Sequence, residues 1–270
     1  DLYTVFIWDR HYLKQFSEQT GKTAHYLPLA SNPDIFFPRS PDPNFQCDAG
    51  FIGSISGIRD FNAHRKDKGW SPWLVELARQ VVDTRKMNPK TPMDVIFNAI
   101  MESIPSENRK IILSFSQKPE FDTFWDSVNN EVGTLNRIGS VCAVPKPFTA
   151  FVFGNDAWKQ VARKNIQYRG AIDYHSQAPR VYASAGANLN ITSTQLADSV
   201  NQRVFDVPAA AGFLLTDSRP CLAELFEPDK EVVVFESHED MADKLKFYLN
   251  RPLLRKKIAQ RAHERFLGQH

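Results

Sequence analysis

The spacing of apolar positions gives the chain three different rhythms. The opening reads as a strand over Leu2–Ile7, a helix over His11–Ser17 closed by Gly21, and a short apolar run over His25–Leu29. Prolines at 28, 33, 38, 41 and 43 follow. Each fixes its own φ and lacks an N–H, so this stretch cannot be regular helix or central strand and reads as a linker between domains. A strand-like run resumes over Ala49–Ile55, with Gly53 and Gly57 at its end. From about 57 to 147 the spacing turns helical, in Trp73–Val82, Met93–Ile104 and Phe121–Leu135. Ser71-Pro72 and Thr91-Pro92 set a capping hydroxyl before a proline, a helix start.

Beyond Pro147 short apolar runs alternate with helical ones. The predicted strands are Ala150–Phe153, Ile166–Arg169, Ala187–Ile191, Phe213–Thr216 and Glu231–Phe235. The predicted helices are Asp156–Lys164, Ser176–Ala185, Val200–Ala210, Arg219–Phe226, His238–Leu249 and Arg251–Leu267. Strands separated by single helices imply crossovers and a parallel sheet covered on both faces, an α/β, Rossmann-like architecture.

Composition narrows the partners. Lys and Arg number 33 against 31 Asp and Glu, mixed along the chain, which leaves no electrostatic footprint for nucleic acid or an anionic membrane. The basic stretch Lys244–Arg265 alternates with Leu245, Phe247, Leu249 and Ile258, as on the solvated face of amphipathic helices. Cys47, Cys142 and Cys221 are odd in number and far apart, so they form neither a disulfide framework nor a zinc site, and a cytoplasmic setting fits them best. No apolar run nears the roughly 20 residues of a membrane-spanning helix. The chain begins at Asp1 rather than Met, which leaves room for a further segment before it. His175, His238 and His263 have no companions at metal-ligand spacing. The chain also lacks G-x-G-x-x-G, G-x-x-x-x-G-K-[ST] loop and G-x-S-x-G patterns, which argues against a dehydrogenase, a P-loop enzyme and an α/β-hydrolase.

In a parallel sheet, ligands bind beyond the carboxyl ends of the strands. The segments expected there are Gly154–Asn155, Gly170–Tyr174, Thr192–Gln202 and Asp217–Arg219. The richest is Thr192–Gly212, TSTQLADSVNQRVFDVPAAAG, a polar loop followed by a helix. A helix start presents free N–H groups and partial positive charge to a phosphate, and Arg203 adds a charge-assisted bond of about 1.5–3 kcal/mol. A carboxylate facing the crevice would accept from both hydroxyls of a ribose. The plainer alternatives are Asp198 as a helix cap and Arg203 as a surface charge. Pro208 marks a kink or an early stop, and Ala209–Gly212 permit close packing or close ligand approach.

From RVFDVPAAAGFLLTDSRPCLAELFEP to the carboxyl end, the chain resembles the carboxyl-terminal domain of group 1 glycosyltransferases of the GT-B fold. Within that group it looks closest to the subgroup that includes the spore-maturation protein CgeB. The shared pattern is an arginine, an aromatic and an acid, a small-residue turn with glycine, a strand ending in Thr-Asp, an acid-bearing helix, a strand and two closing helices. YLPLASNPDIFFP resembles the family's interdomain segment and FIGSISGIR its next strand and glycine turn. The resemblance implies a carboxyl-terminal half of a GT-B fold. Residues 1–45 would be the tail of an amino-terminal Rossmann-like domain with its linker, and 46–270 the nucleotide-sugar-binding domain with a helical insertion at about 57–147. Many relatives carry two glutamates eight positions apart, the earlier near the donor sugar and the later on the ribose. Asp198 and Asp206 hold that spacing here, each shorter by about 1.5 Å. Gly53 and Ser54 match the glycine turn beside the diphosphate, Arg59 lies near a basic position of the family, and Tyr174 matches the loop that flanks the base. Asn201 and Arg203 complete the expected substrate-binding set.

The implied activity is sugar transfer from a nucleoside diphosphate sugar to an unidentified acceptor. Cationic groups at the diphosphate would do the electrostatic work, with neither metal nor other cofactor needed. Two rivals stand beside it: a non-catalytic nucleotide-sugar-binding or scaffold module of the same fold, and a GT-B nucleotide-sugar epimerase. A fragment without the amino-terminal domain would bind donor and catalyse poorly.

Overall fold

The computed structural model of the protein describes residues 3–56 and 68–270, so Leu2, Gly57 and Arg59 of the sequence reading lie outside the described residues. The opening forms β1 (Val5–Ile7), α1 (His11–Thr20) and β2 (Ala24–Tyr26), a βαβ unit whose two strands run parallel. Gly21 closes α1 in the left-handed region at φ 68°, with its N–H on the Ser17 carbonyl. This conformation costs glycine nothing and any other residue something. Across residues 27–46 the regular structure is a single 3-10 turn, Pro43–Phe45, as the proline run requires.

A six-stranded sheet follows: β3 (Cys47–Ile52), β4 (Ala150–Phe153), β5 (Ile166–Tyr168), β6 (Ala185–Asn190), β7 (Leu214–Asp217) and β8 (Val233–Phe235). Its order is β5-β4-β3-β6-β7-β8, and every neighbouring pair is parallel. The chain first builds outward from β3 to β5. It then returns to the other side of β3 and builds outward again from β6 to β8. Connections from β3 and β6 therefore leave in opposite directions, and a crevice opens beyond their carboxyl ends.

Among the described residues, four helices lie between β3 and β4: α2 (Pro72–Met87), α3 (Met93–Ser103), α4 (Ser106–Ser116) and α5 (Pro119–Cys142). Later come α6 (Ala178–Ser184), α7 (Arg203–Ala209), α8 (Leu222–Leu225), α9 (His238–Leu249) and α10 (Pro252–Gln269). One face of the sheet, with Phe51, Val152, Leu189 and Leu215, packs on Val141 of α5, Met241 and Leu245 of α9 and Ile258 of α10. The other, with Ile52, Phe153 and Leu214, packs on Val181 of α6, Val204 and Phe205 of α7, Leu222 of α8, and Phe36 from the linker. Phe266 of α10 joins this second core, so α10 serves both faces.

A third core belongs to the helical layer, with Trp70, Leu74, Val81, Ile96, Ile112, Phe124, Val128 and Val132. Each such side chain contributes about 1.5–3 kcal/mol on burial. The 24 residues of α5 link this core to the sheet, because Val128 and Val132 lie in the one and Val141 in the other.

Several elements depart from the pattern-based reading. The expected helix Asp156–Lys164 is a 3-10 turn over Asp156–Gln160, stopped by a bridge in which Arg163 and Ile166 exchange backbone hydrogen bonds. Helix α4 was not expected. Its Ile111-Ile112-Leu113 run buries Ile112 and leaves Ile111 and Leu113 about half exposed, so it carries no helical period. Helix α5 continues past the expected Leu135 end to Cys142, because packing of its last turns on the sheet offsets Gly133 and Gly139. Helix α7 begins at Arg203, not Val200, and Pro208 accompanies an early stop at Ala209.

Candidate functional site

The crevice between β3 and β6 is framed by their trailing residues Gly53–Ser54 and Ile191–Ser193. Asn190, the last residue of β6, is fully buried and organises the region. Its amide donates to Thr216 Oγ1 at 2.9 Å, and its carbonyl oxygen accepts from Asn201 Nδ2 at 3.1 Å and Arg203 Nε at 3.0 Å. Asn201 also donates to the Ile191 carbonyl and accepts from the Ser193 N–H, so its side chain is spent on bracing the loop after β6. Arg203 Nη2 reaches the Ile191 carbonyl at 3.4 Å, and the guanidinium stands 5.8 Å from the Phe51 ring centroid. Its hydrogen-bond partners are neutral, and the buried Asp206 is the acid that feels its charge.

A second cation enters from the helical layer. Arg137 of α5 donates from Nη1 to the Ser54 carbonyl at 2.7 Å. Its pKa is pushed below the usual arginine value by burial and then by the neighbouring Arg203 charge. Two like charges from distant parts of the chain thus converge beside the carboxyl ends of β3 and β6, an arrangement favouring an anion between them. Arg137 was not among the candidates read from sequence, because α5 was expected to end at Leu135.

Gly53 and Ser54 sit at the expected place. Packing also dictates Gly53: a Cβ there would lie 2.9 Å from the Phe51 ring, and its carbonyl accepts from Trp158 Nε1 at 2.7 Å. Gly154 allows that bond, since its own Cβ would fall 2.3 Å from the Gly53 oxygen. Ser54 is exposed.

Asp206 differs from expectation. It is fully buried, and its carboxylate faces the linker rather than open solvent. Ser31 donates to Oδ1 at 2.5 Å, and the Tyr174 hydroxyl donates to Oδ2. The Gln202 side chain also holds the Ala30 carbonyl, which brings the linker over the start of α7. Burial raises the Asp206 pKa above the usual carboxylate value, opposed by the Ser31 and Tyr174 hydrogen bonds. Tyr174 itself is pushed well above the ordinary phenol value, mainly by burial. Its ring packs at 5.5 Å on Phe36, and it borders a cavity of about 620 Å³ with Ser31, Asn32, Phe36, His175 and Gln202.

Asp198 does not cap a helix, since α7 starts five residues later with Gln202 as its flanking residue and no side-chain cap. Its Oδ1 is buried without a hydrogen-bond partner among the described residues. The loop around it is held by Asp9, 2% exposed, whose carboxylate accepts from the Ala197 N–H at 2.7 Å and, more loosely, from the Asp198 and Ser199 N–H groups at 3.3 and 3.4 Å. Arg203 and Asn201 are therefore brought together at Asn190, Ser54 is held by Arg137, and Tyr174 and Asp206 meet under the linker, close enough for Asp206 to feel the Arg203 charge. Among the described residues, no group of three His, Cys, Asp or Glu is placed to hold a metal ion, and no helix is long and apolar enough to cross a membrane.

Residues 139–270 match a family described as glycosyl transferase-like. No curated protein sequence matches the chain. Solved structures share its fold at low identity. Sucrose-phosphate synthase from Thermosynechococcus elongatus is 9% identical with a TM-score of 0.54, over 98% of this chain and 53% of that one. HepE from Anabaena, solved in complex with UDP and glucose, is 10% identical with a TM-score of 0.53, over 98% of this chain and 59% of that one. A glycosyltransferase from Rickettsia africae is 10% identical with a TM-score of 0.51, over 98% and 58%. The fold is thus the parallel, helix-flanked α/β arrangement of GT-B glycosyltransferases. The chain spans a little over half the length of these structures.

Proposed function

We propose that the protein binds a nucleoside diphosphate sugar at the β3–β6 crevice and takes part in transfer of the sugar to an acceptor. The observation that carries this reading is the pairing of Arg203 and Arg137 around the Ser54 and Ile191 carbonyls. As the bond to the sugar breaks, negative charge grows on the leaving diphosphate. Two cations already fixed by neutral hydrogen-bond acceptors stabilise that charge without reorganising, the main source of catalysis in such a step. The nucleoside would extend toward the linker cavity, where Tyr174 and Gln202 line the wall. Gly53 and Ser54 offer backbone to the diphosphate. In this reading Asn201 orients Arg203, Asp198 stands toward the sugar, and Arg59 adds to the basic set. The R-V-F-D segment at 203–206 supports placement in the CgeB-like subgroup. An amino-terminal Rossmann-like domain, of which residues 1–45 would be the tail, would supply the acceptor side.

One observation favours a non-catalytic nucleotide-binding module instead. Both oxygens of Asp206 are already engaged by Ser31 and Tyr174, so a ribose would have to displace them.

Thermal unfolding against uridine, guanosine, adenosine and thymidine diphosphates tests the binding claim. One of them at 100 times its dissociation constant is expected to add about 2.7 kcal/mol of stability. Arg203→Gln, removing a charge-assisted contact, is expected to weaken that ligand by about ten- to a hundredfold. A chain that no nucleoside diphosphate stabilises would sink the reading. Product analysis with and without the amino-terminal portion then separates transferase from binding module.

A further inference from the structure

One helix ties both lips of the β3–β6 crevice. On the β3 side, Thr134 of α5, 1% exposed, accepts from the Ser56 N–H at 3.0 Å, and Arg137 holds the Ser54 carbonyl. On the β6 side, the Thr194 hydroxyl donates to the Asn129 carbonyl of the same helix at 2.9 Å. From Asn129 to Arg137 these attachments span about 12 Å of helix. The like charges of Arg137 and Arg203 push α5 away from the β6 side, and the Thr194 bond opposes that push.

The β3 lip lies beyond Ile52, the last residue of its strand, where the sheet ladder no longer supplies partners. Four successive main-chain groups there are held by side chains instead. Arg137 takes the Ser54 carbonyl, Asn155 takes the Ile55 N–H and carbonyl at 3.2 and 2.7 Å, and Thr134 takes the Ser56 N–H. Asn155 follows β4, so its hold belongs to the sheet, whereas Thr134 and Arg137 hold the lip from the helical layer. Ile55 is buried between Ser54 and Ser56, which are both exposed. All four bonds are spent on main chain, and the two serine side chains face outward. A lip ordered before a ligand arrives spares that ligand the entropy of ordering it.

We infer that α5 sets the opening of this crevice and that Thr134 is its positioning residue, holding the Ser54–Ser56 lip in the conformation that receives the diphosphate. Thr134 acts through the Ser56 N–H and makes no contact with the ligand itself. This role rests on the nucleotide-binding reading above.

Two measurements on the full chain test it: calorimetric titration with uridine, guanosine, adenosine and thymidine diphosphates, and amide hydrogen exchange over β3 and its lip. Thr134→Val keeps the branched shape and removes the acceptor. It is expected to speed exchange of the Ser56 N–H by about tenfold, and to weaken whichever diphosphate binds wild type by about three- to tenfold, the scale of one hydrogen bond. Thr134→Ser restores the hydroxyl and is expected to bring both quantities back to within about twofold of wild type. If Thr134→Val does not fold, Thr194→Val, which cuts the tie to the other lip, is expected to weaken the same ligand several-fold. An unchanged diphosphate affinity, an unchanged Ser56 exchange rate, or a loss that Thr134→Ser shares in full overturns the inference. So does faster exchange throughout β3, which would mark general loosening of the fold. A wild type that binds none of the four diphosphates refutes the nucleotide-binding reading instead, and Ser56 exchange then still decides whether Thr134 holds the lip.

Discussion

The arginine pair at the strand reversal, Arg203 and Arg137, and the buried pair Arg219 and Arg85 beneath the helical layer are held differently. In the crevice, Arg203 and Arg137 rest on amide and carbonyl oxygens. In the second pair, Arg219 rests on a carboxylate and Arg85 on one carbonyl. Neutral partners fix a cation's position and leave its field intact, whereas an acid fixes position by cancelling the field. The first arrangement suits strong, oriented attraction for a multiply charged ligand. In the second, Asp217 offsets the charge of Arg219 directly and that of Arg85 from further away.

Removing that acid should give the largest effect. Asp217 accepts from the Thr192 N–H and hydroxyl at 2.9 and 2.7 Å as well as from Arg219. Asp217→Asn would leave two buried guanidiniums unopposed, at a cost of about 3 kcal/mol. Calorimetry should then show Tm falling by about 6–12 °C. A smaller change would mean that the two regions differ less than their partners imply.

Gly139→Ala sharpens the contrast sterically. A Cβ there would stand 2.2 Å from His238 Cε1, at the first residue of α9 and away from the crevice. Overpacking of this kind should destabilise by about 1–2 kcal/mol in chemical denaturation. Nucleoside diphosphate affinity should stay the same.

The smallest effect concerns Asp206, the acid buried under the linker. Its folded-state pKa is raised by burial, so folding favours its protonated form. That contribution is fully present below the unfolded carboxylate value and is lost as pH rises through the folded one. Wild type should therefore gain on Asp206→Asn as pH falls from neutral toward the ordinary carboxylate range. A stability difference that stays flat with pH would show the carboxylate to be ionised and well paired throughout.

Much of the sheet could be read from the chain, since buried parallel strands are short continuous apolar runs. Ala150–Phe153 and the helix His238–Leu249 lie where the pattern sets them. Arg203 was legible as a cation after a strand, but its Asn190 partner was not, because that contact comes from the sheet register. Arg137 was hidden by the glycines of α5, whose low helix propensity is overridden by packing on the sheet. Asp9, Ser31 and Arg85 gave no local signal. Their roles come from contacts made across long stretches of chain, which no periodicity encodes.

Asp9 has a mechanical consequence. It immediately precedes α1, yet its carboxylate gathers the amides of 197–199, just ahead of the arginine at the crevice. The opening βαβ unit and that loop are thereby pinned through Asp9, with the Tyr12 hydroxyl on the Gln195 carbonyl beside it. A tilt of the unit is transmitted to the loop through this pin, and cleavage after residue 10 would strip three amides of their shared acceptor.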